Sequence, residues 1–359
     1  APRDSPAGAD RRDFRIESPA ESGMVNDIVR LVVADIGATN GRFAIAERDA
    51  TGAASLFRIA VFENDDFPDF AALIGHYLDT LPDAVPPWAC FAVAGPCDGR
   101  RGFMVNRDWA VDAGEIESGT ALNRVSLVND FAALAAEVPY LHDGEYRVLH
   151  EGERAAGPLS VVGPGTGLGV AQLVPGEEEY RVIDTEGGHM AFAPRTPMER
   201  ELLAFLSPAD GHVAVEELLS GRGLENIHRF LSERVPGARA SATAAEISAA
   251  ALGGGDPLCR RVVDAFLAIL GGALGDIALV HGATGGVYLG GGIPPRLEPL
   301  IGESRLLERF RRKGPLESYL RGIPLRLITA DFLALRGAAR LFGRQPEIRL
   351  RLFSSASKK

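Results

Sequence analysis

The sequence predicts an α/β protein of two lobes, the second repeating the plan of the first, with a cleft between them. Three observations carry this reading. Apolar runs with strand character alternate with helix-forming stretches along the chain. Each half opens with a pair of apolar runs joined through a glycine-rich turn, first at Asp35-Ile36-Gly37-Ala38-Thr39-Asn40 and again at Gly163-Pro164-Gly165-Thr166-Gly167-Leu168-Gly169. A third turn, Gly290-Gly291-Gly292, follows the later apolar run Val287-Tyr288-Leu289. With 359 residues the chain is long enough for two domains and a large buried core.

Residues 1–27 are polar and punctuated by proline, with no apolar centre of the kind a signal peptide needs; they are expected to be a disordered extension, with Met24 a candidate start. Strands are expected at 28–34, 41–47 and 56–62, then a helix at 69–80, a buried strand at 88–94 ended by Gly95-Pro96, and another at 125–128. The run 131–137 is rich in helix formers. The second half offers strands at 159–163 and 169–174. Helices follow at 198–206, 215–219, 224–231, 243–251 and 258–280, with strands at 285–289 and 325–329. A last helix spans 331–342, with Asp331 near its N-cap. The expected division is a small lobe of 28–140 plus 331–349, a large lobe of 141–330, and a disordered tail at 350–359.

Composition narrows the function classes. A formal charge of −10 argues against a nucleic-acid-binding surface, which is normally basic. No apolar run of about 18 uninterrupted residues suggests a membrane span, and the most apolar segment, 262–280, carries Asp264 and Asp276 and reads as a buried helix. Cys90, Cys97 and Cys259 lack paired metal-ligand spacing and read as reduced thiols of a cytoplasmic protein.

The glycine turns are not a P-loop, because the Gly-Lys-Ser/Thr ending is missing. The second is followed by an alternating strand and not by a helix, unlike a dinucleotide fingerprint. Such turns bring backbone N–H groups close to an anion, and Asp35 at a strand end suits a hydrated magnesium ion. Three of them in this order suggest a nucleotide triphosphate held between lobes. Asn129-Asp130 ends an apolar strand where open α/β sheets place ligands. The pair could bind neighbouring hydroxyls, or Asp130 could simply cap the helix that follows. Glu186 and His189, around Gly187-Gly188, could face a ligand or be structural; Glu216, beside Glu217, reads from local sequence as part of a solvated helix face.

Two lobes that each open with a glycine-turned hairpin resemble the duplicated, ribonuclease H-like fold shared by actin, Hsp70-type ATPases and sugar kinases. The series Asp35-Ile36-Gly37-Ala38-Thr39-Asn40, Ala94-Gly95-Pro96, Asn106-Arg107-Asp108-Trp109, Leu127-Val128-Asn129-Asp130-Phe131, Gly165-Thr166-Gly167-Leu168-Gly169, Glu186-Gly187-Gly188-His189, Leu219-Ser220-Gly221 and Gly290-Gly291-Gly292-Ile293 resembles the bacterial glucokinase family, in that family's order. The resemblance implies ATP-dependent phosphorylation of the glucose 6-hydroxyl, with Asp130 as base. It implies that Asn106, Asn129, Asp130, Glu186, His189 and Glu216 hold the sugar. Asp35, Gly37, Thr39 and Asn40 would face the phosphates and Mg2+, with Asp35 reaching the metal through water. Gly165, Thr166 and Gly167 would form the second phosphate turn, and Gly290, Gly291 and Gly292 would lie near the adenosine. It also implies a homodimer.

Ala38 departs from the family's usual glycine; its Cβ could narrow the space next to the phosphates or restrict the turn's dihedrals, and the methyl is expected to be tolerated at some cost in ATP affinity. Two other readings stand beside this one: a kinase for another hexose, such as mannose or fructose, or a sugar-binding paralogue with weak catalysis. A DNA-binding sugar sensor is disfavoured, since 27 irregular residues cannot make a helix-turn-helix and three scattered cysteines cannot make a zinc motif. The phosphoryl donor, ATP or polyphosphate, stays open at this level.

Overall fold

Leu31, Val32, Val33 and Ala34 are all fully buried, as befits a strand covered on both faces. They form the centre of strand β1 (Val29–Ile36) in a computed structural model that describes residues 28–343 except 83, 105, 106, 154, 178, 209 and 210. The segments expected to be disordered, 1–27 and 350–359, lie outside the described residues, as do 344–349 of the returning segment.

The first sheet combines β1 with β2 (Asn40–Arg48), β3 (Ala54–Glu63), β4 (Trp88–Val93) and β7 (Arg124–Asn129). A separate small hairpin, β5 (Arg101–Met104) and β6 (Trp109–Asp112), lies between the last two in sequence. The order is β3-β2-β1-β4-β7, antiparallel through the first three and parallel from β1 onward.

The second sheet contains β8 (Tyr146–His150), β9 (Leu159–Pro164), β10 (Leu168–Pro175), β11 (Tyr180–Thr185), β12 (Gly286–Leu289) and β13 (Leu325–Ile328). Its order is β11-β10-β9-β12-β13-β8. Again three antiparallel strands lead into parallel ones, and only β8 is an addition at the far edge. The duplication expected from the two glycine-turned hairpins is therefore a repeated strand order.

The lobes meet through two helices. One, Asp130–Glu137, follows β7 and presents small buried residues, Ala132, Ala133, Ala135 and Ala136. Its first apolar side chain, Phe131, lies against the hairpin of the second lobe, where Gly163 and Gly169 leave room for the ring; a Cβ at Gly163 would sit 2.6 Å from it. The other helix, Leu333–Leu341, packs on the first along Gly337, whose α-carbon faces the Ala133 carbonyl too closely for any side chain. Buried Glu137 joins the pair, accepting from Arg340 Nε at 2.8 Å and pairing with Arg336 at 3.2 Å.

Several local expectations change. Asp331 does not cap the last helix: Phe332 holds the N-cap position with φ 55°, packed against the first lobe's core, and no side chain caps the turn. Tertiary packing of the aromatic ring, not capping chemistry, sets that helix start. The expected helix at 215–219 is a single 3-10 turn, Val215–Glu217. The apolar segment 262–280 lies within the helix Pro257–His281, capped by Asp256 through Leu258 N and Cys259 N and closed by Gly282 at φ 58°. That helix is long and apolar enough by composition to cross a membrane, but most of its surface is buried in the second lobe's core.

Candidate active site

The carboxyl ends of β1 and β7 share one edge of the first sheet, because β1, β4 and β7 run parallel with Asp35 beside Ala92 and Val93 beside Asn129. This edge is where open α/β sheets gather ligands. Asp35 accepts a hydrogen bond from Arg42 Nη1 at 3.0 Å. Burial raises its pKa and the guanidinium opposes that rise. In the turn beyond, Gly37 N donates to Asn40 O at 3.0 Å. Ala38 does not have a positive φ, so the methyl group imposes no left-handed strain on the turn. The backbone of the turn thus tolerates the methyl.

Asn129 is the N-cap of the 130–137 helix. Its Oδ1 accepts from Phe131 N and Ala132 N, both at 2.9 Å, and its Nδ2 donates to Gly95 O at 3.3 Å. The capping role weighed for Asp130 thus belongs first to Asn129, although Asp130 Oδ1 also accepts from Phe131 N at 2.8 Å. Holding the cap with the preceding residue leaves the rest of the Asp130 carboxylate to the cleft. Asp130 keeps some solvent exposure yet lies deep among protein atoms, and its pKa is pushed up to about 7. Burial is the main cause, followed by the charge of Asp35, with Glu186 adding to it. Those couplings place carboxylates from both lobes within one electrostatic neighbourhood.

From the second lobe, Glu186 follows β11, and its N-terminal neighbour Thr185 accepts from Gly187 N and donates to Val170 O. Burial raises the Glu186 pKa; His189 lowers it, while Asp184 and Glu216 raise it. His189 Nδ1 lies 3.8 Å from Glu216 Oε1. Glu216 Oε2 also accepts from Leu168 N at 3.3 Å, and Arg222 stands 3.8 Å from Oε1. Glu186, His189 and Glu216 are therefore brought together at the mouth of the second glycine turn. Asn106 lies outside the described residues.

The glycines divide by what a side chain would meet. At Gly167 a Cβ would come 2.8 Å from Glu216 Oε2, and Gly291, with φ 81°, is pressed against the Pro164 carbonyl. Gly291 is required by the protein itself, whereas the atom met at Gly167 is the tip of a side chain that can shift. Gly165 and Gly292 would meet nothing within 4 Å, and Gly37 only Asn40 O at 3.6 Å, with no positive φ at any of the three. Neither backbone nor packing demands glycine there, and the main chain at these positions borders open space. Thr39 and Thr166 are exposed beside these openings, and Gly290 is buried.

Sequence reasoning did not assign roles to Arg42, Asn64, Arg107, Phe131 or Arg222. Arg107 and Phe131 sat within quoted motifs; Arg42 and Arg222 pair with carboxylates five to seven residues away, and only Asn64 meets its partner, Gly37 O, across 27 residues.

The glucokinase family model matches residues 32–345. A glucokinase of Saccharophagus degradans is 36% identical over 309 residues, covering 86% of this chain and 96% of that one. One from Chromohalobacter salexigens is 38% identical, covering 86% and 95%. The crystal structure of a glucokinase from an Antarctic psychrotroph superposes with a TM-score of 0.73 at 35% identity, covering 87% of this chain and 98% of that one. With this match across both lobes, on a fold of two repeated sheets and a carboxylate-lined cleft, the chain belongs to the glucokinase family.

Proposed function

We propose that this enzyme transfers the γ-phosphoryl group of ATP to the 6-hydroxyl of D-glucose, with Asp130 as the base. The observation that carries the reading is Asp130 itself: a carboxylate at the edge of the first sheet, facing charges from both lobes, with a pKa near 7. Such a group is partly ionised at neutral pH and holds a proton well enough to take one from a sugar hydroxyl. Phosphoryl transfer passes through a loose transition state, so Asp130 chiefly orients the hydroxyl and accepts its proton as transfer proceeds.

Glu186, His189 and Glu216 would grip the sugar, together with Asn106 and the remaining N–H of Asn129. Carboxylates that accept from hydroxyls reject a sugar lacking one, since a buried acceptor is then left unpaired. Gly37, Thr39 and Asn40 on one lobe, and Gly165, Thr166 and Gly167 on the other, would flank the phosphates, with Gly290, Gly291 and Gly292 near the adenosine. Among the described residues no group of three or more carboxylate, histidine or cysteine side chains could hold a metal alone. A single buried-edge carboxylate, Asp35, fits Mg2+ held mostly by water and phosphate oxygens. Bound there, the ion supplies charge that offsets the phosphates. Closure of the lobes about the 130–137 and 333–341 helices would exclude water as a competing acceptor. A cytoplasmic homodimer is the expected form of the enzyme, and sedimentation measures its assembly.

The test is a sugar panel (glucose, mannose, fructose) in a coupled ADP-release assay. Glucose should lead in kcat/KM, and Asp130→Asn should keep glucose binding while losing most turnover. Another hexose in the lead, or full turnover in the variant, overturns the assignment.

A further inference from the structure

We infer that Arg107, with Asn64 and Asp65, is the positioning device that aims the first phosphate turn. The turn's three successive carbonyls are all tied back into the first lobe. Asn64 Nδ2 donates to Gly37 O at 2.8 Å, Arg107 Nη1 to Ala38 O at 2.8 Å, and Asn64 N to Thr39 O at 2.8 Å. A trans peptide points its carbonyl and the next residue's N–H in opposite directions. Anchoring the carbonyls of residues 37, 38 and 39 inward therefore turns the N–H groups of Ala38, Thr39 and Asn40 outward as a set, the arrangement an anion requires.

Arg107 suits this task because its guanidinium is a fixed fork. One arm reaches Ala38 O; another donates to Asp65 Oδ1 at 2.8 Å. The group lies over the Trp109 ring at 4.6 Å, and the side chain is only 16% exposed. Asp108, at φ 52°, makes the bend that lets Arg107 and Trp109 stack. Asn64 is fully buried beneath the turn. None of these side chains needs to touch the nucleotide; they act through the backbone of residues 37–39. This inference rests on reading residues 37–40 as a phosphate turn.

The experiment measures binding of a non-hydrolysable ATP analogue and, separately, of glucose, by calorimetry, together with KM for each substrate. In Arg107→Ala the analogue should bind about tenfold or more weakly, as loss of one charge-assisted hydrogen bond implies, while glucose binding stays within twofold. Arg107→Lys, able to reach Ala38 O but not to bridge both partners, should fall between. Asp65→Ala alters a side chain that is 84% exposed, so folding is not at stake, and should weaken the analogue in the same direction by less. The inference is overturned if the analogue binds wild type and Arg107→Ala equally, or if both ligands weaken together. Full recovery by lysine also overturns it, since charge alone would then suffice. If Arg107→Ala does not fold, the lysine and Asp65→Ala results decide. If wild type itself fails to bind the analogue while binding glucose, the phosphate-turn reading falls, and the inference with it.

Discussion

Asp130→Asn should make the protein more stable, and increasingly so as pH rises. In the unfolded chain the Asp130 carboxyl loses its proton near its ordinary value of 3.8; in the folded protein it keeps the proton to about 7. A folded-state pKa raised above the unfolded one means that the native state binds more protons between those values, so stability falls as pH rises through that window. Each pH unit of the gap is about 1.4 kcal/mol, which puts the full cost of holding this charge in the cleft at about 4 kcal/mol. Part of that cost is already present at pH 5. The variant's advantage over wild type should therefore grow by roughly 2–3 kcal/mol between about pH 5 and pH 8. Asparagine can still accept the Phe131 N–H, so the helix start is kept. Urea unfolding of both proteins at the two pH values measures the change, and titrating groups not coupled to Asp130 cancel in the difference. An advantage that does not grow with pH, or a wild type that is the more stable at pH 8, would refute the claim that this site is held at the expense of stability.

Three further outcomes follow from the geometry. Asp35→Asn removes the main charge acting on Asp130, so the acid limb of the residual kcat/KM profile should move to lower pH than in the wild type. Gly167→Ala pushes on Glu216 and should raise the glucose KM about tenfold or more, since its Cβ would meet that carboxylate at 2.8 Å. Gly337→Ala forces apart the two helices that join the lobes; calorimetry should show a destabilisation of about 1–3 kcal/mol, the usual cost of overpacking.

What the sequence determined by itself was the architecture and the inventory of chemistry. Apolar runs broken by glycine turns mark β1, β2, β9 and β10 within a residue or two, because a strand buried on both faces leaves a continuous apolar record. Half-exposed strands such as β11, and the edge strand β8, leave no such record. Asp35, Asp130 and Glu186 could be named because acidic residues stood at strand ends, and His189 and Glu216 because the order of motifs resembled a known family. Tertiary structure alone decided what each of these side chains touches. Asn129 became the cap, Gly291 proved necessary to packing while Gly37, Gly165 and Gly292 did not, and Phe332 took the place expected of Asp331. Arg107 and Asn64 acquired their roles only when folding brought them under a turn that lies far from them in the chain. Local sequence records which surfaces must be buried; it does not record which distant carbonyl a buried guanidinium will meet, and that meeting sets the direction in which a turn presents its amides.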